Sequence, residues 1–127
     1  MRIFKTKPFA RFANKEKIAD AALVEAVRRA EKGVFDADLG GGVIKQRIAR
    51  RGQGKSGGFR SIVLFRAAHR AFFVYGFAKS ARKNIRDDEL AAFRRLAGEL
   101  LALDDAGLRA AIANETIMEV TDHDEAL

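Results

Sequence analysis

Cysteine and tryptophan are absent from this chain, and proline and tyrosine occur once each. Without thiols there is no disulfide, no thiol nucleophile and no thiolate metal site, and a reducing cytoplasm is the expected location. A membrane helix needs about 18 or more successive apolar residues, and no run in the sequence approaches that, so no membrane partner is expected. The opening MRIFKTKPFARF alternates basic and apolar residues and does not build the apolar block of a secretory signal. Histidine is scarce too. His69 falls in an expected turn, and His123 lies between Asp122 and Asp124, three adjacent side chains that make a poor metal site. No metal or other cofactor is called for.

The most informative absence is local. From residue 39 to residue 86 there is no Asp or Glu, while Lys45, Arg47, Arg50, Arg51, Lys55, Arg60, Arg66, Arg70, Lys79, Arg82, Lys83 and Arg86 are all basic. The formal net charge of +7 conceals a division: residues 1–86 hold 21 Lys/Arg against 6 Asp/Glu, or +15, and residues 87–127 hold 3 against 11, or −8. Cations this concentrated repel one another unless the fold spreads them or an anion gathers them. A polyanion is therefore the expected partner of a one-sided basic surface.

What is present fits one domain. A length of 127 residues, 48% apolar and 32% charged, matches a globular unit with a real core. Residues 1–4 alternate and predict a short strand. Pro8 suits the start of a short helix over 9–14, and Leu23, Val24, Val27 and Ala30 recur at helical spacing after Asp20, up to Gly33. Residues 34–39 read as a connection. Gly40, Gly41 and Gly42 then precede a strand over 43–51, in which Ile44 and Ile48 face one way and Lys45, Arg47 and Arg51 the other. Two near-continuous apolar runs, 59–67 and 70–78, predict a central hairpin covered on both faces, with Arg60 and Lys79 at the same end. From Asp87 or Asp88 a helix carries Leu90, Phe93, Ala97, Leu100 and Leu101. A second helix starts at Asp104 or Asp105, and residues 117–120 predict a last short strand. Residues 121–127 read as an acidic, frayed tail.

At KQRIARRGQGKSGGFRSIVLFR, followed by YGFAKSARKNI, the chain resembles the RelE/HigB-like toxins of type II toxin–antitoxin systems, within the RelE/ParE superfamily. The resemblance covers residues 1–120 as a single domain and is most specific at GKSGGFR and GFAKS. It implies an α+β fold in which N-terminal helices pack on a curved antiparallel sheet, with C-terminal helices after it. It also implies an mRNA interferase, an endoribonuclease that acts on the ribosome to inhibit translation. Its inhibitor would be a cognate antitoxin, typically a helix-turn-helix protein. Carried over by position, the paired strand cations are Lys45 and Arg47, the arginine opening the central strand is Arg60, and the basic position after the next strand is Lys79, with Arg82 near it. Arg50, Arg51, Lys55, Lys83 and Tyr75 complete the expected RNA-contacting set. Relatives often carry a Tyr or His just after the Lys79 position; this chain has neither there, and its one tyrosine, Tyr75, comes earlier.

These residue types suit RNA cleavage because RNA contains its own nucleophile, the 2′-hydroxyl. The protein need only align it, remove its proton, stabilise the phosphorane and protonate the departing oxygen. Arg60 suits the phosphate clamp, since a guanidinium is a fixed fork of donors and never serves as a base. Lys45 is the expected base, with Arg47 and Arg60 nearby expected to lower its pKa from the usual value of about 10.4. Lys79 or Arg82 is then the proton donor or charge stabiliser. Two alternatives stay open: a toxin of the same fold that inhibits a protein target such as DNA gyrase, as the resemblance to the ParE branch implies, and RNA binding without catalysis. A phosphate-binding loop at GQGKS is excluded, because position 49 is Ala and a strand, not a helix, follows. Phe59, Phe65, Phe72, Phe73 and Phe77 read as core.

Overall fold

The computed structural model describes residues 1–49 and 58–121. Their order is β1 (Arg2–Thr6), α1 (Lys7–Glu16), α2 (Asp20–Glu31), β2 (Ala37–Gly40), β3 (Val43–Ile48), β4 (Phe59–Arg66), β5 (Arg70–Ala78), α3 (Asp87–Leu100), α4 (Asp105–Ala113) and β6 (Ile117–Val120). The strands form one sheet in the order β2-β3-β4-β5-β1-β6, and the fold is α+β as expected. The sheet is mixed, however, and not wholly antiparallel. Strands β2 to β5 form an antiparallel meander, β1 lies parallel to β5, and β6 returns antiparallel to β1. Strand β1 is joined to β5 through two helices and three strands, and a connection that long leaves the pair free to run parallel.

The unbroken apolar runs of β4 and β5 are explained by cover on both faces. One set of alternate residues, Ile44, Ile48, Phe59, Val63, Ala71 and Phe73, packs with Phe9 and Ala13 of α1 and Leu23, Val24 and Val27 of α2. The other set, Val43, Ile62, Leu64, Phe72 and Val74, packs with Ala97 and Leu100 of α3 and Leu108 of α4. The first helix begins earlier than the sequence suggests, at Lys7, and ends with Lys17 in the left-handed conformation. Asp104 caps α4 by accepting the Gly107 N–H at 2.7 Å, whereas α3 is capped at Arg86 and not at Asp87 or Asp88. Within residues 34–40, expected to form a connection up to residue 39 and then a glycine turn, Ala37–Gly40 is an edge strand. Gly40, Gly41 and Gly42, with φ of 81°, 64° and 83°, turn the chain back so that Ala37 pairs with Lys45.

One irregularity in β5 decides which side chains share a face. Ile62 is opposite Tyr75 and Val63 is opposite Phe73, so Val74 is the extra residue of a bulge. Strict alternation would put Tyr75 and Phe77 on the same face as Phe73, against α1. The bulge transfers both to the α3 face.

Candidate active site

On that face, strand register arranges six side chains in two rows across β3, β4 and β5. Lys45, Ile62 and Tyr75 make one row; Arg47, Arg60 and Phe77 make the next. Adjacent strands lie about 4.8 Å apart and directly opposed side chains share a face, so the rows form one continuous patch at the end of the sheet. Lys79 follows directly on Ala78, which is opposite Phe59. It is exposed at this same end, as is Lys83, and among the described residues neither makes an ion pair. Lys45, Arg47, Arg60, Tyr75 and Arg82 are thus brought together, with Lys79 and Lys83 at the margin. Arg50, Arg51 and Lys55, like the acidic tail with His123, lie outside the described residues.

The cations are not alone. Asp36, just before β2, accepts a hydrogen bond from Arg60 Nε at 2.9 Å and from Arg47 Nη2 at 3.4 Å, and stands 4.0 Å from Lys45 Nζ. The expectation for Lys45 rested on cationic neighbours alone, and that premise fails. Arg60 is nearly buried, its side chain 8% exposed, and its Nη1 has no hydrogen-bond partner among the described residues. A buried donor left unpaired costs on the order of 1–3 kcal/mol, which an arriving anion would recover. Arg47 is fixed through its backbone as well, its carbonyl accepting Arg29 Nη2 at 2.7 Å.

Arg82 is more committed than its neighbours. Its Nε donates to the Asn84 carbonyl at 2.9 Å, Nη1 to the Tyr75 hydroxyl at 2.9 Å and to Glu89 Oε2 at 3.2 Å, and Nη2 to Glu89 Oε1 at 2.6 Å. Its guanidinium also lies 5.7 Å from the centres of both the Tyr75 and the Phe77 rings. Phe93 of α3 flanks Tyr75 at 6.0 Å. Arg82 therefore ties the Tyr75 row to the start of α3. Its pKa is raised, first by the bond to Glu89 and then by the bond to Tyr75.

The same bonds act on Glu89. Hydrogen bonds from Arg82, and then from the Arg86 N–H at 2.7 Å, lower its pKa from 4.5 to about 2. A carboxylate with a depressed folded-state pKa contributes stability that is complete above its unfolded value and is lost as pH falls toward the folded one. The stability difference between wild type and Glu89→Gln is expected to hold constant above about pH 5 and to shrink between about pH 4.5 and 2. Urea unfolding of both proteins across that range checks it. A difference that is flat down to pH 2 would show that the pair is not formed.

Neither Asp36 nor Glu89 was singled out by the sequence reading. Glu89 carried a signal, three residues after the cap as in a capping box. Asp36 carried one only through the turn at Gly40 to Gly42, which folds it back onto Lys45 and Arg47.

The family model described as the RelE toxin of the RelE/RelB toxin–antitoxin system matches residues 1–120. The chain belongs to the RelE toxin family. This RelE-family chain is the toxin half of a toxin–antitoxin pair, and a cognate antitoxin is its partner. A search of curated protein sequences finds no match. No described helix of the toxin is long and apolar enough to cross a membrane.

Proposed function

We propose that the toxin is a metal-independent endoribonuclease that cuts mRNA, on the ribosome, by attack of a 2′-hydroxyl on the adjacent phosphate. The observation that carries this reading is the Arg60 guanidinium, buried on a face with Lys45 and Arg47, its Nη1 unpaired among the described residues. A phosphate is the anion whose oxygens match that fork. Lys45, once it has lost its own proton, takes the 2′-hydroxyl proton; it is the one cation of the three able to act in that form. The 2′-oxygen then bonds to phosphorus, the bond to the 5′-oxygen breaks, and Lys79 supplies the proton that the leaving oxygen gains. Arg47 and Arg60 hold the added charge of the phosphorane. The products are a 2′,3′-cyclic phosphate and a 5′-hydroxyl. Tyr75, held by Arg82, offers a ring face to a neighbouring base, and Arg50, Arg51, Lys55 and Lys83 extend the backbone contacts.

The test is the chemistry of the ends. Purified toxin added to translating ribosomes is expected to cut mRNA and to leave 2′,3′-cyclic phosphate and 5′-hydroxyl termini, read by end-specific ligation and sequencing. Ends bearing 5′-phosphate and 3′-hydroxyl would overturn the mechanism. Intact mRNA together with trapped DNA cleavage complexes would transfer the toxin to the gyrase-directed branch.

A further inference from the structure

The acid-free stretch takes its counter-charge from outside itself. The Asp36 N–H donates to the Lys45 carbonyl at 2.9 Å, which anchors Asp36 to the β3 backbone, and its carboxylate reaches all three clustered cations at 2.9, 3.4 and 4.0 Å. One anion among three cations leaves the cluster at +2. The contact with Arg60 is one-sided: Nε is engaged while Nη1, buried, has no partner among the described residues. An ion pair that served only to stabilise the fold would be expected to satisfy the buried guanidinium completely. This one holds it by one edge.

We infer that Asp36 is a positioning residue for phosphate recognition: it holds the Arg60 guanidinium by its Nε edge so that the Nη edge meets the scissile phosphate. It also keeps Lys45 and Arg47 close to Arg60 before substrate arrives. This rests on the nuclease reading above. Preorganised donors stabilise a transition state without reorganising during the reaction, so removing the carboxylate slows the chemical step. The same removal raises the cluster from +2 to +3, so an RNA ground state is held more tightly. Binding and rate then move in opposite directions, a signature that loss of folding does not produce.

Asp36→Asn and Asp36→Glu test this, each first checked by thermal unfolding. With an uncleavable single-stranded RNA carrying 2′-O-methyl groups, Asp36→Asn is expected to bind more tightly than wild type. Its plot of log affinity against log salt should be steeper by about 0.7, the increment for one further phosphate neutralised on a single strand. In single-turnover cleavage on ribosomes its rate constant is expected to fall by about 10- to 100-fold, with Asp36→Glu recovering part of the loss and the pH–rate profile keeping its shape. An Asp36→Asn protein that cleaves at the wild-type rate, or binds RNA more weakly, overturns the inference. So does the disappearance of one limb of the pH profile, which would make Asp36 the base itself. If wild type cleaves no RNA the nuclease reading fails; tighter, steeper salt-dependent binding by Asp36→Asn would still support its hold on the anion seat, and unchanged binding would remove it.

Discussion

Replacing Arg60 by lysine is expected to lower mRNA cleavage by about 10²- to 10³-fold while leaving the protein folded. The magnitude is that of losing one preorganised donor to a developing oxyanion. The reason is geometric. Arg60 engages Asp36 through Nε at 2.9 Å and has a buried Nη1 with no hydrogen-bond partner among the described residues, and a lysine presents one ammonium where the guanidinium presents two separated edges. The ammonium still compensates Asp36, so the fold survives. Arg60→Ala would instead leave Asp36 short of its closest partner, and its lost activity would be mixed with lost stability. Single-turnover cleavage on ribosomes, with thermal unfolding of the same preparations, separates these effects. An Arg60→Lys protein that cuts at more than a tenth of the wild-type rate would mean that the phosphate is held elsewhere.

Gly58→Ala is expected to cost about 1–3 kcal/mol of folding stability, the usual range for forcing extra volume into a packed site, and to reduce cleavage with it. A Cβ at Gly58 would lie 2.4 Å from the Ile48 carbonyl oxygen and 3.3 Å from its carbon. These are backbone atoms, and no side-chain rotation relieves the contact. Strands β3 and β4 must part at the Ile48 and Phe59 pair, which adjoins the Arg47 and Arg60 pair, so the cation row opens at its base. Gly98, within α3, is the control. A Cβ there meets nothing within 4 Å, and Gly98→Ala is expected to add up to about 1 kcal/mol, as alanine does over glycine within a helix. Urea unfolding of both variants checks the contrast, and a Gly58→Ala protein as stable as wild type would contradict the close approach of the two strands.

Where side chains repeat with a period that one neighbour enforces, the sequence alone was enough. The helical spacing of Leu23, Val24 and Val27, the apolar runs of β4 and β5 and the last short strand all appear as expected. So does the antiparallel pairing of β4 with β5 that puts Arg60 and Lys79 at one end of the sheet. What escaped had no local signature. Strand β2 is four residues, Ala37–Gly40, with an Asp and a Gly among them, types that strands disfavour; it exists because the glycine turn returns it to β3. The direction of β1 depends on a partner more than sixty residues away. Tyr75 could be assigned to the right strand but not to the right face, because the face is decided by the bulge at Val74. Asp36 stands outside the basic stretch, so counting charge within that stretch could not include it.

The placement of β1 bears on how the polypeptide is made. Both neighbours of this strand, β5 and β6, are synthesised well after it, and the bidentate pair of Arg2 with Glu119, 2.9 Å in each arm, joins its beginning to nearly the last described residues. Apart from the Lys5 to Asp20 ion pair, strand β1 must wait for residues 70–120 before it has a strand to pair with. Contacts so distant along the chain slow folding, and β1 is fixed in the sheet only once residues 70–120 have been made.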